Sequence, residues 1–313
     1  MQEFRLIAKI RELFPTPAGM TGIGDDCAIL PQGDGQDLLV STDLLVEGVH
    51  FLRDGIAPFD LGWKTAAVNL SDIAAMGGQP VATFLCSALC GDLPAGWMLS
   101  FLEGYKAVSE RFGAALLGGD TSRSLSQLCF NVTVLGRCPS NRAVRRNAAW
   151  PGDRICVTGF LGDSAAGLKS ILAGLAETPL VQRLRTRHTR PFPRVEEGLS
   201  LAGMPGIGAM MDISDGVAAD LPHILEESGT GAVVDTTSLP LSDELRALCT
   251  AEGWDAVELA LCGGEDYELL FTCRPDARIP VPHQVIGEIV PGNGIRWEGS
   301  DRDFAGFEHK FGK

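Results

Sequence analysis

Five short acidic segments, each ending or beginning an apolar run, constrain this chain more than any other feature. They read GIGDDCAIL (22–30), STDLLVEGVHF (41–51), NLSDIAAMG (69–77), GGDTS (118–122) and DISDG (212–216). Each sets Asp beside Gly, Ser or Thr. Two carboxylates 4 Å apart repel by about 1 kcal/mol in water and about 4 kcal/mol at an effective dielectric of 20. A fold that gathers these segments needs a hard cation to hold them together. Aspartate oxygens with hydroxyls nearby suit Mg²⁺, which keeps several waters and usually works with substrate phosphates. The pattern points to an enzyme that handles a metal–nucleotide.

Each segment also has a plainer reading. GIGDD makes a turn capped by Asp, STD a strand-to-loop turn, and NLSDIAAMG a helix with Asp72 as a solvated residue. GGDTS says more, because paired glycines let backbone N–H groups approach a ligand beside Asp120. In DISDG a period of two sets Asp212 and Ser214 on one face. One such segment is weak; five at element termini are hard to assign to chance. His50 reads as structural or functional, and Arg142, Arg145 and Arg146 as a solvated face or an anion clamp. Glu265 and Asp266, after paired glycines, form a turn or hold a cationic or hydroxyl-bearing part of a substrate. GDSAAGLKS (162–170) approaches a P-loop, but Leu168 separates Gly167 from Lys169. That one residue rotates the lysine by about 100° on a helix, so the P-loop is rejected for an ordinary helix capped by Asp163 or Ser164.

The chain has 313 residues and a formal net charge of −14, which argues against nucleic acid as a partner. Nine cysteines without zinc spacing fit reduced thiols in the cytoplasm. The N-terminus reads as an amphipathic helix rather than a signal peptide, and no apolar run reaches membrane-spanning length. Strands are expected at 38–42, 81–89, 128–136, 153–158, 208–213 and 232–235, and helices at 57–76, 96–112, 164–175 and from 218. A short buried strand is expected at 114–117, and strand–turn–strand over 258–272. The turn-rich passage 147–153 lies near a domain boundary. The expected class is α/β (α+β) in two domains, 1–140 and 141–313.

Taken in order, GIGDDCAIL, STDLLVEGVHF, NLSDIAAMGGQP, GGDT, RRNAAWPGD, VTGFLGDSAAGL, DISDG and GGEDYEL resemble the thiamine-monophosphate kinase family nearly end to end. That family sits in a wider group with aminoimidazole ribonucleotide synthetase and selenophosphate synthetase. The resemblance implies ATP-dependent conversion of thiamine monophosphate to thiamine diphosphate, the last step of that biosynthesis. It implies a homodimer whose N-terminal sheets form a β-barrel interface, with a C-terminal α+β domain completing the site. It implies several Mg²⁺ ions, with Asp26, Ser41, Thr42, Asp43, Asp72, Asp120, Asp212 and Asp215 on metal positions. Gly119, Asp120, Arg146 and Ser214 fall on ATP positions. His50, Glu265 and Phe307 fall on substrate positions. Asp43, Asp72, Asp120 and Arg146 carry the catalytic assignment. Leu102 stands where relatives carry an aromatic near the nucleotide base.

A phosphate monoester has a second pKa near 6, so the acceptor is already ionised and no catalytic base is needed. Direct in-line transfer by positioning and charge neutralisation follows. The competing readings are another ATP-using enzyme of the wider group and a non-catalytic sensor of metal or nucleotide.

Overall fold

The computed structural model describes residues 3–309. Two sheets divide the chain. The first holds β1 (Ala28–Pro31), β2 (Gln36–Val46), β3 (Gln79–Leu89), β4 (Ala115–Arg123) and β5 (Cys129–Pro139) in the order β1-β2-β5-β3-β4. The second holds β6 (Arg154–Val157), β7 (Ile207–Asp212), β8 (Gly231–Asp235), β9 (Leu269–Cys273), β10 (Gln284–Val290) and β11 (Gly294–Glu298) in the order β11-β8-β10-β6-β9-β7. Each sheet is antiparallel except for one pair, β3–β4 and β8–β11. The architecture is thus two-domain with mixed α and β content, and the first sheet is open, with β1 and β4 at its edges.

One helix organises the site. α2, following the N-terminal α1 (Glu3–Leu13), runs Pro58–Ala75. It begins with Pro at its first turn and stops at Gly77, whose φ of +66° closes the end. Most of its residues are buried, because it is covered by the first sheet, by α3 (Trp97–Arg111), by α6 (Val195–Ala202) and by β7. α2 and α3 cross at glycines: a Cβ on Gly62 would stand 1.8 Å from the Phe101 carbonyl oxygen, and one on Gly104 equally close to that of Phe59. On the inner face of the sheet Phe101 and Phe130 stack with centroids 4.3 Å apart, and Trp97 joins them.

Three expectations are corrected. The 114–117 strand is neither short nor buried: β4 continues through Gly118-Gly119-Asp120 and is exposed along its whole length, because it is an edge strand. The 258–261 segment is α9 (Ala256–Cys262), not a strand; Asp255 Oδ1 accepts from the amides of Val257 and Glu258 and starts a helix there. α4 (Asp163–Leu172) is not capped by Asp163 or Ser164. Its first amides, of Gly162 and Ser164, donate to the distant Asp266 carboxylate at 2.6 and 3.1 Å. Among the described residues no helix is long and apolar enough to cross a membrane, and all nine cysteines are free.

Candidate active site

The acidic segments meet where α2 passes between the two sheets. Asp26 precedes β1, Asp72 lies in the last turn of α2, and Asp212 ends β7. One oxygen from each of these three carboxylates lies within 4.8 Å of the other two. Few donors offset them. Ser41 Oγ donates to Asp72 at 2.5 Å, Ser71 Oγ to Asp212 at 2.6 Å, and Arg146 pairs with Asp26 at 2.6 Å. Asp43, on β2, and Asp215, in the turn after β7, continue the acidic lining along the cleft.

Burial and mutual repulsion push these carboxyls upward. Desolvation dominates, with neighbouring charge adding to it: Asp212 rises to about 7 beside Asp26, and Asp43 to about 6 beside Asp215 and Asp26. Asp215 rises to about 6, and Asp72 goes well above the ordinary range, with burial again the largest cause. All-oxygen donors with too few positive partners fit a hard divalent cation such as Mg²⁺.

Asp43, Asp72, Asp212 and Asp215 line the acidic floor of a cleft of about 790 Å³ between the two halves, with Asp26 within reach of Asp72 and Asp212. Its polar wall carries His50, Ser214 and Glu265. Its apolar wall carries Leu45, Val49, Phe51, Leu168, Ile171 and Leu172, with Phe307 at the rim. Gly216, at φ +96°, permits the tight turn after Asp215, because a Cβ there would meet the carbonyls of Leu261 and Gly263 at 2.9 Å. Asp220, on α7 (Val217–Ser228), accepts from the Asp215 amide at 3.1 Å and so fixes that turn.

Not every expected residue joins the cluster. Thr42 turns its hydroxyl to the opposite face of β2, donating to the Val132 carbonyl at 3.0 Å. Arg146 does not stand free: two of its guanidinium nitrogens bond Asp26. Gly119 and Asp120 lie on the exposed edge strand. In register, Asp43 shares a row with Val132, Leu85 and Gly119, whereas Asp120 shares the next row with Cys86, Asn131 and Leu44. Asp120 therefore points to the other face, three strand spacings or about 14 Å away. Leu102 is partly exposed on α3 and lines no part of the cleft. The residues that sequence reasoning passed over are Lys64, His188, Tyr267 and Asp220. For Lys64 a signal was present: 64, 68 and 72 fall at four-residue steps on one face of α2.

The family model described as AIR synthase related protein, N-terminal domain, matches residues 24–138, and the one described as AIR synthase related protein, C-terminal domain, matches 151–298. The thiamine-monophosphate kinase of Salmonella typhimurium is 44% identical over 254 residues, spanning 80% of this chain and 76% of that protein. That of Haemophilus influenzae is 38% identical over 301 residues, spanning 92% and 89%. Among solved structures, AaThiL complexed with AMPPCP and TMP matches with a TM-score of 0.92 at 35% identity, covering 99% of this chain and 97% of that one.

Proposed function

The chain belongs to the AIR synthase related family, and within it to the thiamine-monophosphate kinases, and from that membership we propose that it moves the γ-phosphoryl group of ATP onto thiamine monophosphate. The products are thiamine diphosphate and ADP. The observation that carries the proposal is the convergence of Asp26, Asp72 and Asp212, the last two of which line a cleft whose remaining walls are part apolar and part polar. Such a cleft separates a place for phosphates from a place for an organic ring system.

Asp26, Asp43, Asp72, Asp212 and Asp215 are the residues that would hold Mg²⁺. When bound, the ions supply charge neutralisation for two phosphate groups that otherwise repel. The chain's own residues do the rest. Ser41 and Ser71 orient the Asp72 and Asp212 carboxylates. Arg146 pairs with Asp26 and partly offsets the burial that pushes that carboxyl upward. Ser214 is assigned to the nucleotide, and His50, Glu265 and Phe307 to the acceptor. The acceptor phosphate is ionised near neutral pH, so transfer proceeds in line without a base and without a phosphoenzyme.

The test is an assay with thiamine monophosphate, ATP and Mg²⁺, the product identified by mass. Thiamine diphosphate and ADP are expected in equal amounts. ATP consumed only with a different acceptor would assign the chain to another activity of the wider family, and ATP bound but left intact would make it a sensor.

The same reading makes the protein a cytoplasmic homodimer. Its support is the open face and free edge of the first sheet, where Leu44, Phe84, Leu116 and Leu117 are exposed beside Gly119 and Asp120. A second copy closing a barrel over that face would cover these residues and bring Asp120 into an enclosed surface. Sedimentation should find a dimer, and Leu117→Glu should shift it toward monomer with at least about tenfold lower activity. A fully active monomeric wild type would refute the dimer.

A further inference from the structure

Behind the polar wall of the cleft lies a buried charge cluster of which the phosphoryl transfer above uses only Glu265. The side chain of Lys64 is 1% exposed, and its Nζ lies 2.9 Å from Glu265 Oε1 and 3.0 Å from Oε2. His188, at the end of α5 (Pro179–Thr189), places Nδ1 3.2 Å from Glu265 Oε2 and 3.1 Å from Ser164 Oγ. Glu265 and His188 line the cleft; Lys64 does not. The lysine therefore stands behind the carboxylate and reaches the cleft only through it.

The loop that carries Glu265 is held in an uncommon shape. Glu265 has φ +65° and Tyr267 φ +50°, a region that side chains other than glycine rarely occupy. The loop is pinned to the turn after β7, with the Glu265 amide donating to the Ser214 carbonyl at 2.8 Å and the Tyr267 amide to that of Ile213 at 2.9 Å. A glutamate held this way, with its carboxylate gripped from behind, is aimed rather than mobile. Burial alone would push its carboxyl up, yet the Lys64 ammonium, the largest opposing influence, holds it below the usual range. His188 is itself pushed down to about 4 by burial and then by Lys64, so at neutral pH it is a neutral hydrogen-bond partner and not a second cation.

We propose that Lys64 is a positioning residue for substrate selection, fixing the Glu265 carboxylate as the acceptor for the N–H-bearing aminopyrimidine end of the phosphate monoester. This rests on the functional reading above. α2 supplies the geometry. Lys64 and Asp72 sit eight residues apart on one face of the same helix, about 12 Å along its axis. One rigid element thus indexes both the carboxylate that meets the ring end and the carboxylate cluster that meets the phosphate. A substrate whose two ends do not match that span loses one of the two contacts.

A merely structural tie between the two halves of the chain is the alternative, and steady-state kinetics separates them. Lys64→Met keeps the unbranched shape of the side chain up to its ammonium group and removes its charge. The KM for thiamine monophosphate should rise about 30-fold, while the KM for ATP and kcat stay within about threefold. Because the change acts through Glu265, the double variant Lys64→Met/Glu265→Gln should show a thiamine monophosphate KM no higher than Glu265→Gln alone. That double variant leaves no unpaired buried charge, so it carries the test if Lys64→Met folds poorly. A wild type active on thiamine monophosphate whose Lys64→Met variant keeps its KM, or raises both KM values together, would overturn this inference alone. A wild type with no activity on thiamine monophosphate would overturn the functional reading, and this inference with it.

Discussion

Asp72→Asn should lower kcat by about 10³-fold or more while leaving the fold intact. Asp72 is the carboxylate on which the cleft's charge converges: after burial itself, Asp43, Asp212 and Asp26 all act to keep it protonated. It is also one of the three groups whose oxygens come within 4.8 Å of each other. Asparagine preserves the shape and still accepts from Ser41 Oγ, which donates to Asp72 at 2.5 Å. The Cys27 thiol donates to the Asp72 main-chain carbonyl and is untouched. What disappears is one negative charge from a set that has little to balance it. In the absence of metal that loss relieves repulsion, so the variant should melt no lower than the wild type at pH 8. The two effects have opposite signs, and that opposition separates a metal-binding carboxylate from a structural one. Circular dichroism melting and turnover on the same sample decide it. A variant that keeps more than about a tenth of kcat, or that melts well below the wild type, would remove Asp72 from the chemistry.

The sequence showed which side chains carry charge and where elements end, but not which faces they share. The stepped aromatic positions of α3 and the apolar run of α2 stood out because helical periodicity reports burial directly. The acidic segments stood out because carboxylates at element ends are visible in any order. Their convergence depended on α2 passing between two sheets, and nothing local encodes that. Asp120 shows the limit. GGDTS reads like its fellow segments, yet strand register places it on the far face of the first sheet. Leu116 and Leu117 read as core for the same reason, since an edge strand cannot be told from a central one by hydropathy alone. Arg146 looked like a free anion clamp because its partner Asp26 is 120 residues distant. The cap of α4 comes from Asp266, another long-range contact that local capping rules do not reach. Lys64 was overlooked because a helical lysine is ordinarily solvated, and only a helix covered on several sides makes it a buried one.

Lowering the pH should strengthen the metal-free protein and weaken its hold on Mg²⁺. In the folded chain Asp212 titrates at about 7 and Asp43 and Asp215 at about 6, with burial the first cause in each case. In the unfolded chain the same groups titrate at about 3.9. The folded state therefore binds more protons than the unfolded state between those limits. The stability these groups contribute is fully present below about pH 4 and is lost as pH rises through 6 and 7. Without metal, the melting temperature should climb as pH falls from 8 to 5.5. Mg²⁺ binding runs the other way, because each ligand must first lose its proton. At pH 5 Asp212 stands two units below its pKa and Asp43 and Asp215 one each, so affinity should be at least about 10³-fold weaker than at pH 8. Calorimetric titration at both pH values, repeated in buffers of different ionisation enthalpy, should also detect about one or more protons released per ion at pH 6. Equal affinity at pH 5 and pH 8 would mean that the desolvated carboxylates are not the ligands. A metal-free melting temperature that falls steadily with acid would mean that these groups are ionised and paired in the folded state, against the geometry of the cluster.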